Sequence, residues 1–157
     1  MTYAIVYDSR TGNTEELARA VAEALPAQGR LVFGRVGEVD AASVAQADRV
    51  YAGFCTNRGD CTDEMGELLA GLAGKEVFLF GTCGFGADET YFAGVAARAA
   101  AHLPESAQLI GTFMCQGRMP ASRALPEPGE PPTTGARSPC RTAKREGLLR
   151  QTGTAIP

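Results

Sequence analysis

Residues Ala4–Val21, AIVYDSRTGNTEELARAV, run an apolar strand into a loop of hydroxyls with one glycine and then into an amphipathic helix. Leu17, Val21 and Leu25 recur at i, i+4 and i+8 with Glu15, Glu16, Arg19 and Glu23 opposite them. The helix starting near Asn13 is therefore expected to pack one apolar stripe on a sheet. Between strand and helix, Ser9-Arg10-Thr11-Gly12-Asn13-Thr14 offers the hydroxyls of Ser9, Thr11 and Thr14 to phosphate oxygens. Gly12 lets the main chain curl so that successive N–H groups point inward, and the helix adds the positive end of its dipole. The segment predicts a phosphate pocket built from neutral groups. An ordinary capped helix start uses the same residue types, so the loop alone leaves both readings open. A nucleotide P-loop needs a Lys after its second Gly and a dinucleotide fingerprint needs three spaced glycines, and neither pattern is present.

Outward from this segment, apolar runs alternate with helical patterns. Strands are expected at Tyr3–Tyr7, Arg30–Val36, Arg49–Phe54, Glu76–Gly81 and Gln108–Met114, with helices over Glu15–Leu25, Ala41–Gln46, Thr62–Leu72 and Asp88–Leu103. Short apolar strands between helices indicate a parallel sheet covered on both faces. Ala41–Gln46 holds one large apolar residue, Val44, and is expected to form a single turn. Right-handed crossovers allow a doubly wound order of 2-1-3-4-5, with ligands meeting the carboxyl ends of the strands beside the first and third.

A chain of 157 residues with 45% hydrophobic content suits one domain with a full core. The opening residues turn polar too soon for a signal peptide and no apolar run reaches the length of a membrane helix, so a cytoplasmic protein without membrane contact is expected. Five cysteines in no tight framework fit reduced thiols. Met1–Gly117 carries 8 Lys or Arg against 15 Asp or Glu, a balance of −7; Arg118–Pro157 carries 7 against 3, a balance of +4. The acidic body argues against nucleic acid as a partner and suits basic faces of redox partners, although scattered acids also serve plain solubility. From Arg118 onward the pattern stops, with seven of the nine prolines and no apolar periodicity. The chain thus divides into a folded unit, 1–117, and an irregular Pro/Arg-rich tail, 118–157, in which Thr142–Gln151 is the sole helix candidate.

The stretch from Ile5 through Val21 fills every constrained position of I/V-V-Y-x-S-x-x-G-x-T-x-x-x-A-x-x-V and so resembles the flavodoxin family. LIGTFMCQGRMP at Leu109–Pro120, with FLFGTCGFG, is similar to small flavodoxin-like proteins associated with bilirubin reductase. The resemblance covers Met1 to about Pro120. It implies a flavodoxin-like α/β fold, flavin mononucleotide (FMN) as cofactor, and one-electron transfer with partner redox enzymes, as a reductase and an acceptor, by a monomer. It also implies a last helix after the fifth strand, for which Pro120–Pro139 is unsuitable.

Two further turns carry the expected ring site. The third strand runs into Cys55-Thr56-Asn57-Arg58-Gly59-Asp60, and the fourth into Thr82-Cys83-Gly84-Phe85-Gly86. Glycine-rich turns let the backbone approach a flat ligand closely. By resemblance the Gly59 carbonyl accepts a hydrogen bond from flavin N5–H, which exists once the first electron has arrived, and Asp60 opposes the anionic hydroquinone. The chain lacks Trp and has Arg58 where the family often has an aromatic, so Phe85, Phe54 or the planar cation of Arg58 are the candidates for a ring wall. Tyr91 and Phe92 are expected in the core, and His102 on a helix surface without chemistry.

Cys55, Cys83 and Cys115 fall at strand ends with Cys61 close by, but no C-x-x-C occurs and no metal is expected. Hydrolase readings lack a base, since His102 is the one histidine. A signalling receiver would need an acidic cluster after the first strand and a Lys after the fifth, and Asp8 stands alone while Gln116-Gly117-Arg118 has no Lys. An FMN-dependent reductase of quinones or tetrapyrroles, and a flavin-free scaffold, remain as alternatives to the electron carrier.

Overall fold

A computed structural model describes residues 1–84 and 88–118. Phe85 and Gly86 of the second turn, and the tail beyond Arg118 with its Thr142–Gln151 segment, lie outside them. The elements in chain order are β1 (Tyr3–Tyr7), α1 (Asn13–Ala24), β2 (Arg30–Arg35), α2 (Ala41–Gln46), β3 (Arg49–Cys55), α3 (Asp63–Ala70), β4 (Glu76–Cys83), α4 (Glu89–Ala100) and β5 (Gln108–Gln116). All four strand pairings are parallel. The sheet order is β2-β1-β3-β4-β5, the doubly wound α/β arrangement expected from the sequence.

Period-2 alternation splits the strand side chains between two layers. Ala4 and Val6 face a core with Val44, Met65, Leu69, Val95 and Ala99 of α2, α3 and α4, whereas Tyr3, Ile5 and Tyr7 face Leu17, Ala18 and Val21 of α1. Each large side chain buried in this way stabilises the fold by about 1.5–3 kcal/mol. β1 is buried along its whole length because it pairs on both sides, while β2, at the sheet edge, stays partly open.

Boundaries move where pairing or capping decides them. β4 continues past Gly81 because Thr82 and Cys83 pair with Cys115 and Gln116, which also carries β5 past Met114. α2 is a six-residue helix, held at its start by the Asp40 carboxylate accepting from Ser43 N at 3.0 Å and at its end by Lys75 Nζ donating to the Ala45 and Ala47 carbonyls, each at 2.6 Å. Val44 alone anchors it in the core.

Glycine is demanded at two central positions of the sheet. Gly53 pairs with Phe80 and Gly81 with Phe54, so each ring lies over a neighbouring glycine. A Cβ on Gly53 would sit 2.2 Å from Phe80 Cε2, and one on Gly81 2.9 Å from Phe54 Cζ. Phe54 and Phe80 are fully buried and have nowhere to go. Gly53→Ala is expected to destabilise the domain by about 1–3 kcal/mol through overpacking. Urea unfolding should show a lower midpoint with an unchanged slope.

Candidate functional site

Three loops meet at the carboxyl ends of β1, β3 and β4. In the first, Gly12 adopts φ 88° and ψ −9°, turning the chain from β1 into α1. A Cβ there would meet nothing within 4 Å, so backbone conformation rather than space selects the glycine. Gly12 N–H donates to Ser9 Oγ at 3.1 Å, and no side chain caps the helix. The other three helices do have side-chain caps, from Asp40, Thr62 and Asp88. The ordinary-capped-helix reading therefore does not describe α1.

Around that open helix start, Arg10 and Thr11 are exposed, and Asn13 Nδ2 donates to Thr11 Oγ1 at 3.2 Å and to the Arg118 carbonyl at 2.8 Å. The second bond ties the loop to the end of β5. Thr14 is buried, its hydroxyl 2.9 Å from that of Thr82 on β4. If Thr82 donates, the Thr14 proton is left for an anion on the helix. Arg35, at the end of β2, donates to the Ser9 carbonyl at 2.6 Å, so a cation from a neighbouring strand braces the loop. The β1–β2 register, Tyr7 opposite Arg35, puts it there and local sequence carries no sign of it.

After β3, Asn57 and Asp60 form an antiparallel bridge, with Asn57 N–H donating to Asp60 O at 2.7 Å and Asp60 N–H to Asn57 O at 3.1 Å. The two residues between them, Arg58 at φ 52° and Gly59 at φ 83°, are both left-handed, as a type I′ hairpin turn requires. Arg58 is the one non-glycine at positive φ among the described residues, a conformation that costs on the order of 1 kcal/mol and is found where surroundings over-determine it. Cys55 Sγ lies 3.8 Å from Asp8 Oδ2, which also accepts from Thr62 Oγ1 at 2.6 Å, while Thr56 Oγ1 meets Cys83 Sγ at 2.9 Å.

Thr56, Arg58, Gly59, Gly84, Tyr91 and Arg98 together line an open cavity of about 700 Å³. Four of these were expected from the two turns. Tyr91 and Arg98 are additions from α4. Tyr91 is 39% exposed, so the core position expected for it is wrong, whereas Phe92 does pack against the core, as does fully buried Phe54. His102 is exposed, as expected, and its Nε2 lies 3.1 Å from Asp60 Oδ2. Tyr91 and Arg98 stand at i and i+7 of α4 beside the buried Val95 and Ala99, a spacing that marks one helix face, and His102 follows in the turn after the helix.

Burial works against the Asp60 carboxylate, but hydrogen bonds from His102 and the Cys61 amide outweigh it and hold its pKa below the ordinary value. Burial, helped by Asp60, pushes the Cys61 thiol up to about 12. Cys55 is raised by burial and by Asp8, and Cys83 by burial. All three are thiols at neutral pH rather than nucleophiles. Asp60, Cys61 and His102 bring their potential ligand atoms within 4.8 Å of one another, with the carboxylate engaged by the imidazole.

A family description, Flavodoxin domain, matches residues 4–125. The chain belongs to the flavodoxin-domain family. The flavodoxin-like domain-containing protein BilS of Clostridium symbiosum is 44% identical over 133 residues, spanning 76% of this chain and 70% of the relative. Among solved structures, a two-electron reduced flavodoxin from Megasphaera elsdenii is 28% identical with a TM-score of 0.53, covering 77% of this chain and 90% of the other. A flavodoxin from Streptococcus pneumoniae TIGR4 is 27% identical with a TM-score of 0.56, covering 78% and 89%. No helix among the described residues of this flavodoxin domain is long and apolar enough to cross a membrane.

Two outcomes test this local geometry. Asn-Gly suits a type I′ turn better than Arg-Gly, so Arg58→Asn should stabilise the flavodoxin domain by about 0.5–1 kcal/mol, read as a higher denaturation midpoint. Because the folded-state pKa of Asp60 is depressed, its contribution is present above the unfolded value of about 4 and is lost as pH falls through the folded one. Both partners are more than a third exposed, which screens the pair to about 0.5 kcal/mol. His102→Ala should remove that increment at pH 6 and flatten the acid limb of a stability–pH curve.

Proposed function

We propose that this chain is an FMN-binding electron carrier that passes electrons one at a time between partner redox proteins. The observation carrying the reading is the uncapped start of α1 at a left-handed glycine, ringed by Ser9, Thr11 and Thr14. A dianionic phosphate fits such a place, because it accepts from orphan helix amides and sits at the positive end of the dipole. Ser9, Arg10, Thr11, Gly12, Asn13 and Thr14 would hold it, with Thr82 turning the Thr14 hydroxyl toward it and Arg35 keeping the loop in place.

The flavin ring would lie against the two turns that border the cavity. Cys55, Thr56, Asn57, Arg58, Gly59 and Asp60 would flank one side, and Thr82, Cys83 and Gly84 the other, with Phe85 and Gly86 following in the chain. Tyr91 joins Arg58 as a group with a flat face on the cavity. Bound FMN supplies the electron-transfer chemistry. The protein's part is to orient the ring and set its electrostatics, and ionised Asp60 opposes further negative charge beside Gly59. Redox proteins are the partners that follow from this role, in the cytoplasm.

Thr11 is exposed and its hydroxyl accepts from Asn13, a role a carboxylate also fills. Thr11→Asp therefore keeps the fold while placing a negative charge beside the phosphate. Fluorescence titration should show wild-type protein binding FMN, and the variant binding it at least about tenfold more weakly, a loss of about 1.4 kcal/mol. Riboflavin, which lacks the phosphate, should bind both proteins equally. Wild-type protein that binds neither flavin would overturn the reading.

A further inference from the structure

We propose that α4 and the turn that follows it clamp the Arg58–Gly59 turn through Arg98 and His102, and that Arg98 holds the Gly59 carbonyl in competition with any donor in the cavity. The inference rests on the FMN reading of that cavity. Arg98, in the last turn of α4, and His102, two residues past its end, stand four residues apart and reach the same turn. Arg98 Nη1 donates to the Gly59 carbonyl at 2.9 Å, and His102 Nε2 engages Asp60 Oδ2 at 3.1 Å. Both contacts are fitted by glycines. A Cβ on Gly59 would lie 3.1 Å from Arg98 Nη1, and one on Gly66 of α3 would lie 3.2 Å from His102 Nδ1. Gly66 lies inside a helix, where glycine is disfavoured, and its bareness seats the imidazole.

The turn needs such support, because Arg58 is held left-handed without a glycine's freedom. Of the two contacts, the one from Arg98 has a direct bearing on the cofactor. A guanidinium bond to a carbonyl is charge-assisted and stronger than a neutral one. A ring N–H that appears on reduction must share the Gly59 oxygen with a cation or turn the peptide away from it. Arg98 thus holds the first reduction step back.

The test compares wild type with Arg98→Met and Arg98→Lys. In flavin-free protein, the Asn57 and Asp60 amides that close the turn should exchange with deuterium about tenfold faster in the Met variant. In FMN-loaded protein, stepwise reduction delivers one electron from dithionite, which is oxidised to sulfite, and one proton from water to N5. That step leaves the net charge in the cavity unchanged, so loss of the Arg98 charge does not itself move it. Its equilibrium should shift about tenfold toward the reduced side in the Met variant, about 59 mV for a one-electron couple. The Lys variant should fall between. FMN binding with both readouts unchanged would overturn the inference and leave the FMN reading standing. If no protein binds FMN, that reading falls together with the redox role of Arg98, and exchange rates alone then decide the clamp.

Discussion

Gly12 takes the chain from β1 into α1 in a left-handed conformation and leaves the first amides of that helix without a side-chain acceptor. A helix cap is worth about 1 kcal/mol, and α2, α3 and α4 each have one. α1 forgoes that stabilisation where the strand order places a ligand cleft. The burial of Leu17, Ala18 and Val21 against the sheet offsets the loss and keeps α1 rigid. Bare amides on a packed helix are donors that need no reorganisation to meet an anion.

Short polar links then join the three loops at this end of the sheet. Thr14, in the first turn of α1, reaches Thr82 on β4, Thr56, just past β3, reaches Cys83 on β4, and Asp8 reaches Thr62 at the cap of α3. No buried polar side-chain atom among the described residues lacks a partner. The loops carry the chemistry and the parallel sheet supplies their spacing.

The electrostatics of the site differ from those of the chain as a whole. Residues 1–117 have a net negative balance, yet the described groups on the cavity wall include Arg58 and Arg98 and no carboxylate. Asp60, at the foot of the same turn, is paired with His102. Local charge at the mouth of the cavity, rather than net charge, governs the field there.

The strand order, the covering of the sheet on both faces, the left-handed glycine and the turn after β3 were all readable in one dimension. They depend on local sequence: period-2 and period-3.6 patterns, glycines where the chain turns sharply, and the Ile5–Val21 motif. Arg35, Tyr91, Arg98 and His102 were not readable as site residues. Each is brought in by strand register or by the facing of a helix, over separations of 26, 39 and 42 residues for the hydrogen bonds of Arg35, Arg98 and His102. The chain alone determined that β1 leads through a left-handed glycine into a helix, because neighbouring residues dictate a backbone turn. Which cations and aromatic groups surround the ring site was decided by tertiary structure, because only packing α4 against β4 and β5 puts its outer face beside Gly59.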